Sequence, residues 1–553
     1  MQKIELRVEN NSTFVIGRME PEIYQGFKRA TGFKIDNFFW VKEYKIKQYE
    51  EQIRLSDEQL KQYEDEMGNA TYTQKYRDAK KNFESNTRQL ELTQDWDGYV
   101  SICCPRGHCK CFMPKKGLHF PTGVLYRVIT YFKENNIPFK ISDCREKPTT
   151  QDMQLKMSDD FEIRDYQLEA VQQSIKKGRG IIRCATGGGK TAIASNIIAT
   201  LALSPTVFYV TSRDLMRQAK SELSKFIKQA NGEDIEVGVI GDGVCDIRDI
   251  NVMTIQTAIT SVGQKYEKFD QEEKEKLTAA ERKMIENKRL EINDLIRRAK
   301  VIFCDECQHW ASSTAKVLSD YSLSAYYKIG ASATPYRDTG DDLIIEGAFG
   351  RLITDISASL LIRRSVLVRP NIRFFRSPEV EVTKKRFDAV YKQSIVENTG
   401  RNDMISELAT ELYNEGGRVL ILCLMIDHGK ALEKMIPNSV FMHGKWTSKR
   451  RAKLLDEVRE GHPSITIATS LFDEGVDVRP LNCLILAGAG SSPTRALQRI
   501  GRVIRSFTYN GGVAKTDAVV VDFIDSPDVL LQQSRKRLKI YKTESEFDIQ
   551  VYQ

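Results

Sequence analysis

The sequence predicts an α/β architecture, with two parallel-sheet domains in tandem behind a small α+β domain. Three observations carry that prediction. An apolar run, Ile181-Ile182, leads into Ala185-Thr186-Gly187-Gly188-Gly189-Lys190-Thr191 and then a helix-forming stretch from Ala192 to Ile198. A second apolar strand, Val301 to Cys304, ends in Asp305-Glu306. Strand-like and helix-like segments alternate from residue 160 to 350 and again from 357 to 525, as parallel sheets with crossover helices require.

Strand, glycine loop, Lys-Thr and helix together suit a nucleoside triphosphate. Glycines let backbone N–H groups turn inward around phosphates, and the helix N-terminus adds positive potential. In such a loop Thr186, Gly187, Gly188 and Gly189 form the cradle, Lys190 reaches the β- and γ-phosphates and Thr191 holds Mg²⁺. A strict P-loop has glycine six residues before the lysine, where this chain has Cys184. The alternative is a bare glycine-rich turn, and the Asp-Glu strand weighs against it. Two carboxylates at a sheet edge near the loop give Asp305 to the Mg²⁺ shell and Glu306 to polarise the water that attacks the γ-phosphate.

A chain of 553 residues predicts several domains, and 41% hydrophobic residues supply their cores. The net charge of +8 permits a polyanionic partner without requiring one. No run of 18 apolar residues occurs, and Met-Gln-Lys-Ile-Glu-Leu-Arg lacks a signal-peptide core, so no membrane partner is expected. A cytoplasmic protein is expected, in the host cytoplasm if a phage encodes it. The 11 cysteines are odd in number, and Cys184, Cys304, Cys423 and Cys483 fall in apolar strands, as buried thiols of a reducing compartment do. Cys103, Cys104, Cys109 and Cys111 with His108 could hold zinc. No second Cys-x-x-Cys pair follows, and the segment also reads as a hairpin turning at Pro105-Arg106-Gly107-His108, the favoured reading.

Residues 1–155 form the first region. Ile4 to Val8 and Thr13 to Ile16 make a hairpin, with helices at Pro21 to Ala30 and Leu125 to Glu134 and a strand at Phe139 to Ser142. Residues 42–93 are polar with helical spacing and read as an inserted helical hairpin. The second domain spans 156–355, with a helical insertion at 262–300. Of the 37 residues from Gln264 to Lys300, 20 are charged, but Ile285, Ile292, Ile296 and Ala299 form a stripe that should dock. The third domain spans 356–553 and ends in a basic helix (Arg535, Lys536, Arg537, Lys539) with a short polar tail.

The order of the remaining motifs resembles the superfamily 2 helicases. Arg164-Asp165-Tyr166-Gln167 resembles the segment whose glutamine reads adenine. Thr211-Ser212-Arg213, Gln256-Thr257 and Thr469 resemble strand-contacting motifs, Ser332-Ala333-Thr334-Pro335 the coupling motif, and Glu474-Gly475-Val476-Asp477 motif V. Gln498-Arg499-Ile500-Gly501-Arg502-Val503-Ile504-Arg505 resembles motif VI. The resemblance covers Arg164 to Arg505 and implies two RecA-like domains closing on ATP and a nucleic-acid strand. It puts Arg164, Gln167, Gly475 and Asp477 at the nucleotide, and Ser212, Arg213, Gln256, Thr257 and Thr469 on the strand. It places Gln498, Arg502 and Arg505 across the cleft from Lys190, Asp305 and Glu306. Guanidinium groups from the opposite domain suit the charge that spreads over the γ-phosphoryl oxygens.

The short glycine loop and Arg-Asp-Tyr-Gln look like the XPB-like and UvsW-like DNA helicase branch. The N-terminal order of hairpin, helix, Trp96-Asp97-Gly98, Phe120-Pro121-Thr122-Gly123, helix and strand is similar to the small N-terminal domain of UvsW-like helicases. That implies branch migration, fork regression and R-loop unwinding by a monomer using ATP and Mg²⁺ on branched, forked or single-stranded DNA, with RNA–DNA hybrids as further substrates. Gln308 stands where this branch commonly has histidine, with His309 one place later. An RNA helicase, a restriction-system motor and a junction-binding protein with a degenerate ATPase are the alternatives.

Overall fold

A computed structural model describes residues 4–16, 18–19, 21–31, 42–65, 70–94, 100–101, 119–262, 279–311, 318–335, 342–382, 386–469, 478–488, 490 and 492–552. The chain divides into two compact units, Met1–Pro148 with Glu346–Arg351, and Thr149–Ile345 with Leu352–Gln553.

In the first unit Ile4–Val8 alternates, so Ile4, Leu6 and Val8 face inward. It pairs antiparallel with Ser12–Ile16 and parallel with Phe139–Asp143, and His119–Pro121 completes a four-stranded sheet. Phe27 of helix Pro21–Thr31 and Phe132 of helix Leu125–Glu134 are fully buried, with ring centres 6.3 Å apart. Helices Lys42–Asp65 and Ala70–Gln94 pack on each other, forming the inserted hairpin. Cys103, Cys104, Cys109, Cys111 and Trp96-Asp97-Gly98 lie outside the described residues.

The second unit holds two RecA-like sheets. The first has eight strands, in spatial order Val244–Asp246, Val237–Gly241, Ile250–Thr254, Thr206–Val210, Val301–Asp305, Tyr327–Ser332, Arg179–Cys184 and Leu352–Ile356. Only Val244–Asp246 runs antiparallel to its neighbour. The central strands are buried on both faces, as the five buried residues of Thr206–Val210 show. The second sheet has seven parallel strands, Ser439–Met442, Ser464–Ala468, Arg418–Leu422, Cys483–Ile485, Asp517–Ile524, Arg369–Arg376 and Asp548–Tyr552. Among the described residues, no helix is long and apolar enough to cross a membrane.

Two sequence expectations are corrected here. Helix Ala279–Arg298 docks through Ile292, Leu295 and Ile296, with Ala299 just beyond, whereas Ile285 is 53% exposed. The docked set keeps the i, i+3, i+4, i+7 spacing, and Ile285 lies two turns out along the helix. The polar C-terminal tail is a strand, Asp548–Tyr552, pairing with Arg369–Arg376. Its side chains are largely exposed, so it shows no apolar alternation from which a strand could be read.

The segment before that strand fastens the connection between the two sheets. Glu544 accepts hydrogen bonds from the Ser359 N–H (2.8 Å) and hydroxyl (2.6 Å). Glu546 pairs with Arg363 at 3.4 Å and with Arg369. Ser359 and Arg363 lie on helix Ala358–Arg363, after the last strand of the first sheet, and Arg369 begins the second.

The basic helix is also less solvated than its composition suggests. Arg537, 1% exposed, forks onto Asp522 with two contacts of 2.9 Å, and the Tyr541 hydroxyl donates to the same carboxylate at 3.0 Å. The Arg537→Ala variant leaves that carboxylate buried without its cation. It should cost about 3–5 kcal/mol, read as an earlier unfolding transition in denaturant, with Asp522→Ala giving a comparable loss.

Candidate active site

Parallel pairing sets the site. Asp305 pairs with Ala331, Cys304 with Tyr209, and Ser332 with Arg183. The C-terminal ends of four strands therefore form one edge, where the glycine loop, the Asp-Glu pair and the Ser-Ala-Thr-Pro segment emerge. This is where open α/β sheets bind ligands.

The glycine loop runs from Cys184 into helix Lys190–Leu201. Gly187 (φ +90°) and Gly189 (φ +87°) adopt a left-handed conformation, which explains glycine at both. A Cβ on Gly187 would lie 2.9 Å from Leu367, and one on Gly189 2.4 Å from the Gln167 amide. Gln167 donates to the Gly188 carbonyl at 3.1 Å and accepts from the Arg164 N–H at 3.1 Å. Its carboxamide thus clamps the loop, with one donor and one lone pair remaining for a base. Arg164 reaches the Tyr166 hydroxyl at 3.1 Å. Burial pushes the Cys184 thiol up to about 12, so this departure from the usual glycine is an inert packing residue.

Lys190 lies against both carboxylates, 3.3 Å from Asp305 and in direct contact with Glu306. Burial would lower the ammonium pKa, but Asp305 and Glu306 more than offset it, so the pKa is raised and Lys190 stays charged. Burial also raises the Asp305 carboxyl, against the pull of Lys190. Burial would raise Glu306 as well, yet Lys190 and Gln308 bring it below the usual carboxylate range. The two acids therefore separate, with Glu306 the more firmly ionised. Glu306 has φ +50°, a strained conformation for a residue with a Cβ.

Gln308 donates to Glu306 Oε2 at 2.9 Å, and Gln498 of the second sheet's domain reaches the same oxygen at 3.3 Å. The sequence marked Gln308 only as a departure, with no signal for its grip on Glu306. Gln498 lies on helix Pro493–Val503, which crosses close to the loop. A Cβ on Gly501 would meet Thr186 at 2.6 Å, and Arg505 Nε lies 4.0 Å from the Cβ position of Gly187. The structure thus gathers Thr186, Gly187, Lys190, Glu306, Gln498 and Arg505, with Arg502 on the same helix. Gly475 and Asp477 lie outside the described residues.

The candidate strand-contacting residues lie on the same sheet edge, because Val210 pairs with Thr254. Ser212 caps helix Arg213–Phe226, accepting from Leu215 N–H at 3.3 Å, and the Thr257 hydroxyl meets Thr254 at 2.8 Å. Arg213 and Gln256 are exposed, and Asp242 holds Arg213 at 2.7 Å and Arg217 at 3.1 Å. Thr469 is 8% exposed, so this conformation does not present it openly.

The donors fit a nucleotide with Mg²⁺. Thr191 and Asp305 supply a hydroxyl and a carboxylate, and Mg²⁺ at phosphates needs only one or two carboxylates. Gln308 Oε1 and Thr334 Oγ1 are buried without a hydrogen-bond partner at this edge. Among the described residues, no group of three or more His, Cys, Asp or Glu gathers elsewhere to hold a metal.

Two family models match, the res subunit of type III restriction enzymes over residues 160–337 and the helicase conserved C-terminal domain over residues 401–507. A putative DNA 3'-5' helicase Rad25 of Haloarcula marismortui is 26% identical over 416 residues, 72% of this chain and 60% of that protein. The DNA 3'-5' translocase XPB2 of Sulfurisphaera tokodaii is 22% identical over 424 residues, 69% of this chain and 85% of that one. The ATP-dependent DNA helicase uvsW of Enterobacteria phage T4 is 27% identical over 247 residues, 42% of this chain and 48% of that one. This chain thus spans 60% of the length of the Haloarcula relative. Motif order, the tandem parallel sheets and these matches agree, and they support a superfamily 2 ATP-dependent DNA helicase similar to the XPB-like and UvsW-like proteins.

Proposed function

We propose that this chain is an ATP- and Mg²⁺-dependent DNA motor, active as a monomer, that remodels branched DNA by branch migration, fork regression and R-loop unwinding. The observation that carries the motor reading is the convergence on Glu306 of Lys190 and Gln308 from one sheet's domain and Gln498 from the other. ATP entering the loop competes for the Lys190 ammonium and frees Glu306 Oε1. Gln308 and Gln498 keep the other oxygen fixed, so the freed one is oriented to polarise a water. Arg502 and Arg505 bring positive charge to the γ-phosphoryl group as the domains close. Thr191 and Asp305 would hold Mg²⁺, which when bound neutralises charge on the β- and γ-phosphate oxygens. Hydrolysis weakens the grip across the cleft and returns Lys190 to the carboxylates, which couples chemistry to domain opening.

The nucleic-acid track lies further along the same edge, where Arg213, Gln256 and Thr257 supply donors that bind phosphate and sugar without reading sequence. A DNA phosphate competes with Asp242 for Arg213. Support for branched DNA comes from the first unit, whose hairpin, helix, Phe120-Pro121-Thr122-Gly123, helix and strand follow the UvsW-like order. RNA–DNA hybrids are included as substrates of the same track.

Lys190→Ala should lower ATP turnover by about a thousandfold, the scale for losing a group that stabilises transition-state charge. Wild-type hydrolysis should be stimulated most by forked and four-way DNA, compared with single strand, plain duplex and RNA–DNA hybrid. Stimulation by RNA alone would replace this reading with an RNA helicase. Gln167→Ala should raise KM for ATP by up to about tenfold, because its hydrogen bond to the Gly188 carbonyl, worth about 0.5–1.5 kcal/mol, holds the loop. Steady-state kinetics over a range of ATP concentrations check it, and an unchanged KM would leave Gln167 without that role.

A further inference from the structure

The edge of the second sheet carries a feature that the motif readings do not use. Strand Ser439–Met442 pairs Met442 with Ala468, so His443 and Thr469 leave the sheet side by side. From His443 to Lys453 the sequence holds Lys445, Lys449, Arg450, Arg451 and Lys453 and no acid. The Arg450 guanidinium lies 3.6 Å from the centre of the Trp446 ring. Trp446 is partly buried against the hydrophobic core, while Arg450 is exposed. The acids further along the helix are engaged elsewhere, Glu457 facing Lys453 at 3.9 Å and Asp456 facing Arg459 at 2.8 Å. Among the described residues, Lys445, Lys449 and Arg450 face no carboxylate.

A run of cations is usually a solvated face, but two features separate this one from that case. A solvated arginine has no need to sit this close over an indole, and the 3.6 Å contact holds the planar guanidinium against Trp446. The opening turn of helix Ser448–Arg459 also favours acids, and cations there cost stability. A flat cationic plane flanked by lysines beside a candidate strand contact has the composition of a single-strand stacking surface.

We propose that Trp446 and Arg450 form a stacking platform for an unpaired nucleobase, with Lys445 and Lys449 neutralising the flanking phosphates. This rests on the reading of the chain as a nucleic-acid motor. Trp446 holds the guanidinium, and the base stacks on the guanidinium's outer face. Because every base has a π-face, the platform grips the strand without choosing a sequence.

The test uses the full chain and a fluorescein-labelled single-stranded DNA, compared at fixed salt with the same strand carrying abasic sites. Wild type should bind the base-bearing strand about tenfold more tightly. Arg450→Lys keeps the charge and removes the plane, and at an exposed position it leaves the fold intact. It should bring the ratio of the two affinities close to one, as should Trp446→Ala checked by thermal melting. Full discrimination retained in both variants would overturn the platform, and so would equal binding of both strands by wild type. Wild type that binds neither strand and shows no DNA-stimulated hydrolysis would overturn the motor reading and the platform with it.

Discussion

The structure turns on one electrostatic constraint. Lys190 places an ammonium in a site that burial would otherwise discharge, so carboxylates must stand beside it. Removing an ion from water costs several kcal/mol in a protein interior, and only close, hydrogen-bonded partners recover that cost. Asp305 and Glu306 meet this need because strand Val301–Asp305 lies beside Tyr327–Ser332, which lies beside Arg179–Cys184. The same contact ties the two RecA-like sheets together, since Gln498 shares Glu306 with Lys190 and Gln308.

The geometry of the candidate nucleotide site was legible in the sequence because such chemistry restricts residue type. Left-handed backbone demands glycine at Gly187 and Gly189, and a sheet-edge carboxylate pair demands Asp-Glu after an apolar strand. Helix Pro493–Val503 was legible for the same reason, since Gly501 must admit Thr186. Packing was harder to read. Arg369–Arg376 alternates in burial, but Pro370 and the adjacent Phe374-Phe375 blur that alternation in the sequence, and Asp548–Tyr552 is exposed, so neither stands out by hydropathy. Leu295 shares a helix face with Ile292, yet the stripe was drawn through Ile285, where the helix extends beyond its support. Arg537 was read only as one cation of a basic helix, because sequence does not show that Asp522 lies beneath it. Gln167 was assigned to adenine, and its clamp on Gly188 became visible only when both were placed.

The second sheet's domain holds two buried ion pairs, Arg401 with Asp525 and Arg537 with Asp522. Arg401, fully buried, pairs with Asp525 at 2.8 Å and lies over the Phe523 ring at 4.4 Å. Arg537 donates to the Gly490 carbonyl at 3.1 Å, just before helix Pro493–Val503 begins. Breaking such pairs costs more than an apolar replacement of both partners would. The Arg537 bond to Gly490 also holds the segment that leads into the helix carrying Gln498 and Arg502. Arg537 therefore serves both the buried pair and that segment.

Strand order in the second sheet bears on how the chain is made. Arg369–Arg376 is synthesised early in its domain but sits between Asp517–Ile524 and Asp548–Tyr552. The nearer partner emerges 141 residues after residue 376 (517 − 376). At ribosomal speeds of about 5–20 residues per second, that leaves an unpaired strand exposed for roughly 7–30 s. The sheet around Val301–Asp305 has all its strands before that gap opens. The first RecA-like sheet, with its glycine loop and Asp-Glu pair, thus precedes the helix of Gln498 and Arg502 on the ribosome, and the nascent chain must shield one strand edge in the meantime.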